Sequence, residues 1–165
     1  MRAAVKQFIE ETIDLIEKNN WSDVAYKAES WNVDGRLQGA DLIEFWRIVR
    51  EDLKIDLFKF EDVEVVPSFY CWESNMTELI LPERILHISK SAFNRCTNLE
   101  KIHFPGSLIS IQTTAFTRTP NLTEITYNGY KEDWNKIRLG YSAFGYTSNG
   151  KYNLKINCKD GVVEI

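Results

Sequence analysis

The 165-residue chain holds two histidines, three cysteines and two methionines. Two imidazoles exclude a His-rich metal centre. Cys71, Cys96 and Cys158 have no metal-type spacing, and an odd thiol count argues for a reducing compartment rather than a disulfide framework. Long apolar runs are missing too. No stretch approaches the ~20 apolar residues of a membrane span. Residues 1–20 lack the ~7–15-residue apolar core of a secretory peptide, because Glu10, Glu11 and Asp14 interrupt it. The expectation is a cytoplasmic protein with no membrane contact. Eight glycines and four prolines are too few for a collagen-like or low-complexity chain. Gly-x-Ser-x-Gly, His-Glu-x-x-His and Cys-x-x-Cys are all absent. Gly35-Arg36-Leu37-Gln38-Gly39 lacks the following Gly-Lys-Ser/Thr of a phosphate loop. No cofactor, no metal and no catalytic set is expected.

What is present is an ordinary globular composition, 44% hydrophobic and 27% charged, with the charge unevenly placed. Residues 1–76 carry 9 Lys and Arg against 16 Asp and Glu, a net −7, whereas residues 77–165 carry a net +3. An acidic half does not coat nucleic acid, since phosphate neutralisation needs clustered Lys and Arg. No direct nucleic-acid partner is expected. The acidic residues Glu10, Glu11, Asp14 and Glu17 are instead candidate contacts for a basic protein surface.

Residues 2–18 read as a helix with Val5, Phe8, Ile9, Thr12 and Ile16 on one face. Ser22 is the candidate N-cap of a short helix, Asp23 to Glu29. Residues 41–53 give the strongest periodicity, with Leu42, Phe45, Trp46, Val49 and Leu53 at helical spacing.

Residues 77–99 and 100–122 then align without gaps, identical at seven of 23 positions: Pro82/Pro105, Ile88/Ile111, Ala92/Ala115, Phe93/Phe116, Arg95/Arg118, Asn98/Asn121 and Leu99/Leu122. Leu79-x-Leu81 and Ile102-x-Phe104 alternate as half-buried strands do, and the proline ends each one. Ile85, Ile88, Ala92 and Phe93 point inward from a turn or short helix. One such unit cannot bury its own apolar face, but stacked units can. The fold class is therefore α+β: a helical N-terminal layer (1–60), then a short solenoid (61–165) with one parallel strand per 23-residue repeat. Phe93 and Phe116 are expected to be fully buried and stacked.

These units resemble the BspA-like leucine-rich repeat family. Tyr127-x-Gly129…Trp134…Ile137 resembles the closing segment of such arrays, Cys158-Lys159-Asp160-Gly161 their ending, and Val66-Pro67-Ser68-Phe69 a truncated first repeat. The resemblance implies buried Cys96 packing and a non-enzymatic protein-binding scaffold. It also implies a short member of the kind found in gut bacteria and their phages, hence a phage- or mobile-element-encoded inhibitor of a host (defence) protein. A structural or assembly component and an enzyme with an unrecognised site are the alternatives.

A spacing of 23 stacks outward strand residues into two ladders, Glu78–Lys101–Glu124 and Ile80–His103–Thr126. Lys101 is expected to face a carboxylate on each side. These six residues are the candidate partner-binding face, and the aromatics Trp72 and Tyr130 are further candidate contacts.

Overall fold

The computed structural model describes residues 1–145 and 152–165. Helix α1 (Ala3–Glu17) buries Val5, Phe8 and Thr12, and the Thr12 hydroxyl donates to the Phe8 carbonyl at 2.6 Å. Helix α2 (Trp21–Val33) is longer than the Asp23–Glu29 segment read from sequence. It starts early because Asn20, not Ser22, is the cap: the Asn20 side-chain oxygen accepts from the Asp23 N–H at 3.2 Å. Helix α3 (Gly39–Arg47) places Asp41 in its first turn, where the carboxylate accepts from the Gln38 N–H at 2.8 Å and from the Arg2 guanidinium at 2.7 Å. The chain continues from α3 as a π-helical turn, Ile48–Asp52, in which the Leu53 N–H reaches five residues back to Ile48 at 2.9 Å. That wider turn rotates the following residues off the helix face. Leu53, expected in the apolar stripe, is 49% exposed, while Leu42, Phe45, Trp46 and Val49 are buried.

Among the described residues nine strands follow, in two sheets. The first joins β1 (Val65–Val66), β3 (His87–Ile88), β5 (Ser110–Ile111) and β7 (Arg138–Leu139) in that order, all parallel. The second joins β2 (Glu78–Ile80), β4 (Lys101–Phe104), β6 (Glu124–Tyr127) and β8 (Lys155–Cys158), again parallel, and ends on the antiparallel β9 (Gly161–Glu164). A short helix, α4 (Lys131–Trp134), precedes β7. Each 23-residue unit therefore contributes two strands, one to each sheet, not one. The second is only two residues long, too short to show alternation in sequence.

Turns link the units as the strands do. The N–H groups of Cys71, Phe93 and Phe116 donate to the carbonyls of Ala92, Ala115 and Ala143 at 2.7, 2.9 and 2.7 Å. Two residues earlier, Phe69, Ser91 and Thr114 hold left-handed backbone (φ 61°, 56° and 57°) and donate to the next unit in the same way. Left-handed non-glycine residues are strained by roughly 1–3 kcal/mol each. Here the conformation recurs in every unit and aims an N–H at its neighbour.

The interior repeats as the backbone does. Leu79, Ile102, Ile125 and Ile156 are buried one above another in the second sheet, and Ile88 and Ile111 in the first. Ile85, Ala92 and Cys96 are fully buried as well. Phe93 and Phe116 are both 0% exposed, their ring centroids 5.1 Å apart and planes at 4°. Phe144 continues the stack at 5.4 Å. In this register Cys71 takes the place of Phe93; the Cys96 thiol donates to the Cys71 carbonyl at 3.1 Å. Asn121, exposed like its equivalent Asn98, donates to the Thr97 carbonyl at 2.7 Å.

The helices close onto the first unit through aromatic rings. Phe8 meets Trp31 and Phe45, Phe45 meets Trp46, and Trp46 meets Tyr70 at 5.5 Å. The Tyr70 hydroxyl accepts from the Leu57 N–H at 2.9 Å, and the Glu29 carboxylate accepts from both the N–H and the hydroxyl of Ser68. Among the described residues, no helix is long and apolar enough to cross a membrane.

Two outcomes follow from this packing. Phe116→Ala removes the middle ring of the stack and is expected to cost about 3–5 kcal/mol, measured by denaturant titration. The second concerns alkali. Burial is the main cause that raises the pKa of the Cys71 thiol and of the Tyr70 hydroxyl, and it pushes Cys96 up to about 11 from 9.0. Below about pH 7.5 folded and unfolded chains both keep the thiol protons. Above it the unfolded chain releases them first, so the native state binds more protons and stability falls as pH rises. Urea midpoints measured from pH 8 to 11 should decline, and Cys96→Ala should flatten part of that slope.

Candidate functional site

Strands β2, β4 and β6 hold the six predicted repeat-face residues on one sheet in register: Glu78 beside Lys101 beside Glu124, and Ile80 beside His103 beside Thr126. The alternation of the pleat turns them outward while Leu79, Ile102 and Ile125 turn in. Ile80 is 65% exposed, an apolar side chain left in water at the rim of a polar face.

The ladders do not pair as expected. Lys101 Nζ meets Glu124 Oε2 at 3.1 Å, and that hydrogen bond, with the carboxylate charge, raises the lysine pKa. Glu78 turns diagonally instead, and its Oε1 lies 2.8 Å from His103 Nε2. His103 Nδ1 lies 2.7 Å from Thr126 Oγ1. Both imidazole nitrogens are thus engaged, and a chain of three strands fixes the ring in one orientation: carboxylate, imidazole, hydroxyl. With Nε2–H donating to Glu78, Nδ1 accepts from Thr126 and every polar atom of the ring is satisfied. Chemically this is a pre-oriented polar surface. Rings and charges held this way lose little freedom on contact with a partner. Asn157 of β8, in register with Thr126, donates to the Ile125 carbonyl at 3.2 Å and extends the polar face; the irregular spacing before β8 hides it in the sequence. Among the described residues, no group of three or more His, Cys, Asp or Glu could hold a metal ion.

The remaining predicted contacts lie on three separate elements. Glu10, Glu11, Asp14 and Glu17 are exposed on α1. Glu11 is engaged by Arg36 at 3.2 Å and Glu10 by Lys6 at 3.8 Å. Trp72 is half-buried in the turn after β1, against Phe69 at 5.4 Å and beneath the Arg95 guanidinium, which pairs with Glu73 at 3.0 Å. Tyr130, 56% exposed, caps α4, with Lys159 Nζ 5.8 Å above its ring.

Sequence reasoning missed a groove of about 510 Å³ that runs along β2, between that strand and the segment leaving α3. Its walls include Arg50, Lys54, Ile55, Phe58, Tyr70 and Met76. These residues follow no shared period, and only the tertiary packing of the helices onto the first unit brings them together.

The family model described as the BspA type leucine-rich repeat region (6 copies) matches residues 64–160, more than half of the chain. No curated protein matches, and no solved structure matches. The matched segment opens one residue before β1 and closes between β8 and β9, so it spans the stacked units described above. The chain belongs to the BspA-type leucine-rich repeat family.

Proposed function

We propose that the protein is a binding module whose recognition surface is the outer face of β2, β4 and β6, and whose partner is another protein. Leucine-rich repeats of this family generally act as non-enzymatic protein-binding units, which supports the coarse reading. The single observation that carries the finer one is the fixed row Glu78–His103–Thr126 beside the Lys101–Glu124 pair, with Ile80 exposed at its edge. A surface mixing held charges, an oriented imidazole and an apolar residue has the makeup of a protein interface rather than of a nucleic-acid or lipid contact. Read as a short solenoid, the array presents this face as such scaffolds usually do.

Within that reading, the form we favour is an intracellular inhibitor that occupies a host protein's surface. The net −7 of residues 1–76 supports it, because the exposed acidic residues of α1 complement a basic target. Residues 1–60 then form a second, electrostatic contact beside the repeat face.

The test is capture of the partner with tagged protein, then the same capture with Lys101→Glu. Lys101 is exposed, and a solvent-screened surface pair such as that with Glu124 adds little to stability, so melting should stay near wild type. Capture should fall sharply, because a reversed charge then faces the partner's complementary group. Unimpaired capture places the contact off the repeat face. If capture instead disappears in high salt with Lys101→Glu neutral, the acidic α1 face is the contact.

A further inference from the structure

The second sheet has one open edge beside the helical layer, and the chemistry of that edge is specific. Among the described residues strand β2 pairs only with β4. The Thr77 carbonyl and the Leu81 N–H point toward β4, accepting from Glu100 and Lys101 and donating to His103. In a parallel strand the N–H and C=O of one residue share a side, and the side alternates along the chain. Glu78 and Ile80 therefore aim both of their backbone groups the other way, and none of these groups makes a hydrogen bond among the described residues. They face the groove of about 510 Å³ that all three β2 residues line.

An open edge of this kind is a template for one more strand. Most proteins blunt such edges with proline, a bulge or a covering element. Here the covering element stands off. The helical layer packs on Tyr70, through Trp46 and Phe58, and leaves a channel along β2 instead of sealing it. The channel floor is apolar, with Ile55, Phe58 and Met76 half-buried.

Charge narrows the occupant. Of the acidic groups in the channel, Asp56 is turned to its own backbone, accepting from the Phe58 N–H at 3.0 Å, and Glu78 is held by His103 at 2.8 Å. Of the basic groups, Arg50 donates to the Tyr70 carbonyl at 2.7 Å and has Glu51 only at 4.0 Å. Lys54 is exposed and forms no ion pair among the described residues. The acids are thus committed internally, and a lysine and part of an arginine are left to meet a ligand.

We propose that this groove binds an extended peptide segment of a partner protein as an added strand on β2, with an apolar side chain over Phe58 and Met76 and an acidic side chain toward Lys54 and Arg50. Main-chain pairing supplies affinity and the alternate side chains supply specificity. The inference rests on the reading of the chain as a protein-binding module but uses the sheet's edge rather than its outer face.

The experiment selects a display library of short linear peptides on the full chain and measures the affinity of the selected peptides by calorimetry. Winners should combine apolar and acidic residues. Ile80→Pro removes the outward N–H without touching the β4 ladder, and should weaken binding by about tenfold or more. Ile80→Ala keeps that N–H and should change binding far less, and Lys54→Glu should weaken it about as much as the proline. On peptide addition the Glu78 and Ile80 amides should become protected from hydrogen exchange, a readout that stands even if Ile80→Pro fails to fold. Failure to select any peptide overturns the proposal. So does equal binding to Ile80→Pro, or unchanged exchange at those two amides. Peptides lost to Lys101→Glu but not to Ile80→Pro overturn the edge site and leave the repeat-face reading standing. Concentration-dependent dimerisation abolished by Ile80→Pro shows the occupant to be a second copy, and overturns the peptide proposal.

Discussion

Everything in this protein depends on contact between one unit and the next. A 23-residue unit has two short strands and a turn, and alone it leaves its apolar side in water. Stacking removes that cost three times per unit: strand pairing in the second sheet, strand pairing in the first, and the N–H to C=O link between turns. Phe93, Phe116 and Phe144 record the outcome as parallel rings one unit apart. Because strand pairing joins each unit only to its neighbours among the described residues, the two ends of the array are exposed by construction. At the start, Trp46, Phe58 and Arg50 close on Tyr70. At the end, β9 turns back antiparallel on β8, which breaks the parallel template.

The same stacking makes the outer face that we propose for recognition. Inward residues can vary only within packing limits, so a register that repeats inside must repeat outside. Glu78, Lys101 and Glu124 share a row for the same reason that Leu79, Ile102 and Ile125 do. Fixed spacing then lets neighbouring strands exchange partners diagonally, as Glu78 does with His103. The incomplete seal between helices and β2 belongs to the same logic: a cap built from helices covers the interior of the first unit but cannot pair with a strand edge.

Legibility in the sequence followed repetition. The middle units were readable because Ala92-Phe93 and Ala115-Phe116 carry the same residues at the same spacing. The flanking units keep the register with other residues. Cys71 stands where a phenylalanine would, and Ser110 pairs with Arg138 across a longer interval than 23. Neither is visible to a search for identity. The helices were readable from their apolar faces, but their limits were not: one Asn20 side chain moves the start of α2, and one π turn takes Leu53 out of the core. The outer-face ladders were placed correctly, and their pairing was not, since a glutamate reaches two neighbours equally well and side-chain geometry decides between them. The groove along β2 had no signal at all, because it exists only between elements distant in sequence.

We propose that stacking, continued into the helical layer, makes a single folding unit: residues 1–60 and 61–165 differ in secondary structure but share the aromatic contacts at Tyr70. Native-state hydrogen exchange tests this most directly. The amides of Cys71, Phe93 and Phe116, together with those of Trp46 and Val49, should open with one common free energy equal to that of global unfolding. Helical amides that open well below the repeat amides would show the layer to be an independent unit and contradict the claim.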